Sequence, residues 1–135
     1  MRAWTSAFAA LLSGVLLGLH SGAALARPTA APAPASPPGD AVRGKQLYQA
    51  CQACHSVDED DVGPRHRGVF GRRAASVAGY PYSAGLKASK LVWDRRTLDA
   101  WLAGPQQLVP GAKMYFSLSS PRDRADVIAY LEQLR

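Results

Sequence analysis

The sequence predicts an all-α domain built from three main helices and long loops. Three observations lead there. Residues 94–103 and 121–134 carry apolar side chains at helical spacing. No stretch alternates apolar and polar residues as a strand does. Residues 56–82, rich in Gly, Arg and Ala without a sustained period, read as a loop wrapped around something large.

The elements follow in order. Asp40 is placed to cap a first helix with Val42, Leu47 and Tyr48 on its apolar side, running into residues 51–55. Ser83 is placed to cap a short helix to about Lys90. A clearer helix runs from Asp94 to Ala103, with Leu98, Trp101 and Leu102 apolar, and Gly104-Pro105 stops it. Ser120-Pro121-Arg122-Asp123 supplies an N-cap, a proline at the first helical position and an acid at the third. The last helix then shows Val127, Ile128, Leu131 and Leu134 at i, i+1, i+4 and i+7.

Cys51-Gln52-Ala53-Cys54-His55 is the most informative stretch. C-x-x-C-H is the attachment signature of a c-type haem. On a helix, positions i, i+3 and i+4 share a face, so two sulfurs and an imidazole can meet one flat macrocycle. The sulfurs add to the two vinyl groups as thioethers, and His55 takes an axial position on the iron. Three plainer readings compete: a disulfide, a thioredoxin-like pair and a zinc site. No β-α-β pattern surrounds the cysteines, and no second Cys pair or paired His completes four zinc ligands. The chain has no Ser/His/Asp constellation and no phosphate-binding loop.

The amino end sets the compartment. Arg2 begins a thin charged region, Ala7 to Leu19 form an apolar run, and Ala24-Leu25-Ala26 is an A-x-A cleavage site. Residues 1–26 therefore read as a signal peptide for export to the periplasm, the kept anchor being the alternative. The apolar run is short for a membrane span, and no stable membrane insertion is expected after cleavage. Residues 27–38, RPTAAPAPASPP, hold five prolines and no large apolar residue, and read as an extended linker. Residues 39–135 remain as one domain, with a covalent cofactor supplying much of its core. Net charge is +6, or +5 without Arg2, from twelve Arg and four Lys against the acidic run Asp58-Glu59-Asp60-Asp61 and other acids. An exported haem domain rarely meets nucleic acid, so attraction to an acidic protein partner is the better reading of that balance.

The sixth iron position has two candidates. After cleavage the chain holds one methionine, Met114, and one histidine besides His55, namely His66. A thioether or an imidazole can fill the site. Met114 lies on the turn Pro110-Gly111-Ala112-Lys113-Met114, far along the chain, whereas His66 is only eleven residues past His55. Met114 is the favoured ligand. An iron with both axial sites filled by protein has no open position for substrate and carries electrons; methionine favours the ferrous form and raises the potential.

In GKQLYQACQACHSV, GPRHRGVFGRRAASVAGYPYS, LVWDRRTLDAWL, PGAKMYF and DRADVIAYL, taken in order, the chain resembles class I cytochrome c, its mitochondrial and bacterial c2-like branch. The resemblance implies the cytochrome c fold around one covalent haem c and an electron carrier rather than an enzyme. By position, Cys51 and Cys54 carry the haem, and His55 and Met114 ligate iron. Pro64 stands where a carbonyl accepts from the ligand histidine's ring. Tyr82 and Trp93 match the partners of a buried propionate and Arg72 the nearby cation, although both aromatics also read as ordinary core. Gly44 matches the glycine at the crossing of the first and last helices, with Tyr130 beside it. Phe116 and the haem edge near Lys113 form the expected transfer surface.

The chain also departs from that family. Where the family sets Asn, Tyr and Thr around a water behind the methionine, Leu86, Trp101 and Ala112 stand here. Only Trp101 can hydrogen-bond, and only as a donor, so a drier pocket is expected, one that resists loss of Met114 at alkaline pH. His66 replaces an apolar residue and needs a partner that the sequence does not name. Ala50, Gln106, Gln107, Ser119 and Ser120 stand at or near family lysines, leaving Lys45, Arg65, Arg67, Lys87 and Lys113 on the docking rim. A weakly steered association follows.

The leading expectation is a monomeric periplasmic carrier shuttling one electron between a donor and an acceptor protein. The alternatives are a dedicated subunit of a periplasmic dehydrogenase complex and a haem peroxidase or ligand sensor, the last requiring a labile Met114.

Overall fold

Asp40 starts the first helix by accepting from the Val42 and Arg43 amides at 2.8 and 3.2 Å. In the computed structural model, which describes residues 38–135, that helix is α1, Ala41–Leu47. The expected signal, and all but the last residue of the expected linker, lie outside the described residues. The coil tightens to a 3-10 helix over Tyr48–Ala53, and the backbone leaves it at Cys54, φ −133°. This corrects the expectation of a regular α-helical face through residues 51–55: Cys51 starts the last 3-10 turn and His55 follows the break. Val42 is also corrected, since it is exposed. The core side of α1 is Gly44, and the 3-10 segment adds the fully buried Tyr48.

Ser83 Oγ accepts from the Leu86 amide at 3.2 Å and caps α2, Ala84–Ala88. Asp94 and Thr97 exchange a reciprocal capping box at the start of α3, Arg95–Ala103. Leu98, Trp101 and Leu102, one face at i, i+3 and i+4, are buried. Gly104 ends α3 but also begins α4, Pro105–Leu108, with Pro105 at its first position. That short helix was unforeseen, because a Gly-Pro pair reads as a stop although proline is equally at home in a first turn. Ser120 Oγ accepts from the Asp123 amide at 3.2 Å and starts α5, Pro121–Leu131, as expected.

α1 packs on α5, and α3 packs on the same helix. A Cβ on Gly44 would run into the Asp126 carbonyl, so glycine is what lets α1 and α5 cross this closely. Val127, Ile128 and Leu131 fill the space beneath, each worth about 1.5–3 kcal/mol of burial. Asp126, fully buried, ties the crossing together: its carboxylate accepts from the Asp40 amide at 2.7 Å and pairs with Arg43 and Arg122. Residues 56–82 form loop, as expected. Among the described residues no strand occurs, only an isolated antiparallel bridge between Arg73 and Val92.

Candidate haem site

The 3-10 turn and the loop after it set the first wall. The Cys54 and His55 amides both donate to Cys51 O, at 3.1 and 2.9 Å, and Gly63 N donates back to Cys54 O at 2.6 Å. That return brings the Pro64 carbonyl within 2.8 Å of His55 Nδ1. A carbonyl only accepts, so Nδ1 carries the proton and Nε2 keeps its lone pair for a metal. Gly63 lies against the same ring; a Cβ there would overlap the imidazole. Burial pushes the His55 pKa down, against the Pro64 bond and the Asp61 charge, and keeps the ring neutral as a ligand must be.

Cys51, Cys54, His55, Arg72, Tyr82, Trp93, Trp101, Met114 and Phe116 are separate in the chain, yet all of them line one cavity of about 330 Å³. Cys51 and Cys54 are free thiols. Cys51 is half-buried, and burial pushes its thiol up to about 11, whereas Cys54 is exposed. Met114 is half-buried against the apolar core on a turn where Gly111 takes φ +78°. The Trp93 and Trp101 rings meet at 5.3 Å in a tilted pair. Neither indole N–H has an acceptor among the described residues, and no side-chain polar atom is left both sealed and unpartnered, so both donors remain reachable from the cavity. Arg72 donates to the Arg65 and Arg67 carbonyls at 2.7 and 3.0 Å, with no carboxylate in ion-pair reach among the described residues. A half-buried guanidinium on a cavity wall with no anion beside it fits a carboxylate-bearing ligand. Two thiols, a neutral imidazole, a thioether and this cation form a donor set that suits haem c.

His66 finds the partner that the sequence did not name. Its Nδ1 shares a hydrogen bond of 2.9 Å with the Tyr48 hydroxyl, and its ring stacks on His55 with centroids 4.1 Å apart. Burial, with the Arg72 charge nearby, pushes it down to about 3, so it stays neutral. No sequence signal marked this pair, because its members are eighteen residues apart on different elements. Leu86, Trp101 and Ala112 are all buried in one apolar cluster. Arg65 pairs with Asp60 at 3.1 Å and Arg67 pairs with Asp58, so the acidic run neutralises two cations, neither of which lines the cavity. Lys113 Nζ donates to Pro81 O at 2.7 Å.

The family model for cytochrome c matches residues 41–135. The chain belongs to the cytochrome c family. It is 46% identical over 97 residues to cytochrome c2 of Rhodomicrobium vannielii, an alignment covering 69% of this chain and 78% of that one. It is 42% identical over 103 residues to cytochrome c of Gossypium barbadense, covering 73% and 93%. Among solved structures, cytochrome cH from Methylobacterium extorquens is similar at a TM-score of 0.68 and 42% identity, covering 70% of this chain and 99% of that one. This cytochrome therefore has the cytochrome c fold, takes one covalently attached haem c through its C-x-x-C-H motif, and is an electron-transfer protein rather than an enzyme. It acts with redox partners. No helix among the described residues is long and apolar enough to cross a membrane.

Proposed function

We propose that this cytochrome is a monomeric periplasmic carrier shuttling single electrons between a donor and an acceptor protein, with both axial iron positions filled by its own side chains. The observation that carries the reading is the convergence of His55 and Met114, from opposite halves of the domain, on one cavity with His55 Nδ1 occupied by Pro64. When bound, haem c supplies the reversible one-electron change of its iron. The protein does the rest. Cys51 and Cys54 would hold the macrocycle through their sulfurs, His55 would offer Nε2, and Met114 would offer its sulfur. Trp93 and Tyr82 donate to a propionate; burial raises the Tyr82 hydroxyl pKa and so keeps that proton in place. Arg72 balances the propionate charge. Trp101 packs the methionine side and keeps water out, while Phe116, 43% exposed, marks the edge where electrons pass. Residues 1–26 direct export, 27–38 form the tether and 39–135 the domain.

Visible spectra of the protein matured in a host that attaches c-type haem test the reading. The expected result is a six-coordinate low-spin spectrum with a weak far-red methionine–iron band, unmoved by carbon monoxide. Met114→Ala loses that band and binds carbon monoxide. A high-spin wild type, or one that takes up carbon monoxide readily, overturns the assignment.

A further inference from the structure

Gln106 stands at or near a family lysine, in a short helix whose exposed side chains need no partner. Its amide nevertheless folds back onto the methionine turn. Nε2 donates to Ala112 O at 2.6 Å and to Met114 O at 3.0 Å, so both amide hydrogens are used, one on either side of Lys113. The backbone on which this lands is otherwise bare. Ala112 N bonds Val109 O at 3.1 Å and Leu118 N bonds Leu102 O at 2.7 Å, but from Lys113 to Ser117 no backbone–backbone hydrogen bond occurs among the described residues. Tyr115 is 80% exposed and Phe116 43%, so packing does not restrain the stretch beyond Met114 either. Gln106 is thus the tether on the main chain of Met114 itself, and Lys113 on Pro81 is the neighbouring one.

We propose that Gln106 is a positioning residue for the axial methionine: its carboxamide holds the Met114 backbone so that the thioether returns to the iron whenever it leaves. The proposal rests on reading Met114 as the iron ligand. The physical basis is entropic. A ligand on an untethered segment loses backbone freedom each time it binds, and a tether has already removed that freedom. A competing ligand then finds the sixth position harder to hold. A lysine at this place is a flexible point charge and lacks the fixed pair of donors that spans two carbonyls two residues apart.

The test is imidazole binding to the ferric haem-loaded protein, followed by loss of the far-red band, in wild type and three variants. Gln106→Ala removes both bonds. Gln106→Glu keeps length and shape but offers acceptors where donors are needed. Gln107→Ala is the control, the adjacent glutamine having no bond to the methionine turn. Imidazole is expected to bind about tenfold more tightly to both Gln106 variants, the effect of losing roughly one net hydrogen bond, and unchanged to Gln107→Ala. Global unfolding midpoints, read in parallel, separate a general loss of stability from a change at the sixth position. Wild-type imidazole affinity in both Gln106 variants, with the far-red band present in wild type, overturns the proposal alone. Absence of the band in wild type overturns the ligand assignment first and the proposal with it.

Discussion

At the scale of single residues, the Tyr48–His66 pair shows how a buried polar group is accommodated. Tyr48 and His66, both lining the cavity, satisfy each other by a hydrogen bond, and each is costly without the other. Tyr48→Phe leaves His66 Nδ1 without its bond and should cost about 1–2 kcal/mol in denaturant unfolding of the haem-loaded protein. Tyr48→Phe combined with His66→Leu should recover most of that loss, since an apolar pair needs no partner. Additive losses in this cycle would contradict the coupling. The residues of the candidate site were legible because their chemistry is unusual: few sequences place Cys, Cys and His at that spacing. Their supports were not. Gln106 looked only like a missing lysine, and its two acceptors are backbone atoms that leave no mark in a sequence.

At the scale of elements, the junction of α1 and α5 depends on one charge. Burial alone would raise the Asp126 pKa, but the Asp40 amide, Arg43 and Arg122 outweigh it and hold the carboxyl below the usual carboxylate range. A lowered folded value means that the group stabilises the fold fully above the unfolded value of 3.8. That contribution is lost as pH falls through the lower folded value. Acid unfolding of wild type should therefore steepen below about pH 4, and Asp126→Asn should flatten that part of the profile while lowering stability at neutral pH. An identical acid limb in the variant would contradict the assignment. Caps were the legible part of the elements: Asp40, Ser83 and Ser120 accept from the first turns they precede, whereas Asp94, read as the start of its helix, caps it. The 3-10 tightening at Tyr48 was not legible, because apolar spacing alone does not distinguish a 3-10 turn from an α-helical one. The exposure of Val42 escaped notice for a related reason. The glycine two residues on, and not the apolar residue, faces the partner helix.

At the scale of the whole molecule, the net charge of +6 overstates the unpaired positive charge. Asp58 and Asp60 sit against Arg67 and Arg65, and the exposed Val62, Tyr115 and Phe116 line the cavity. Oxidation of the ferrous protein by ferricyanide, a small anion, should slow by less than about tenfold from low to physiological salt. Asp58→Asn with Asp60→Asn frees the two arginines and should steepen the dependence; a steep fall already in wild type would contradict the pairing. The α1–α5 junction has a further consequence, one of timing. Its two sides, Asp40 and Asp126, are 86 residues apart, and the cavity floor joins Tyr48 to Val127 and Leu131. A ribosome releases the amino end first, so the pocket has no far wall until the last helix has emerged. Until that helix docks, Cys51 and Cys54 therefore lie on an open segment, within reach of whatever joins the haem to them.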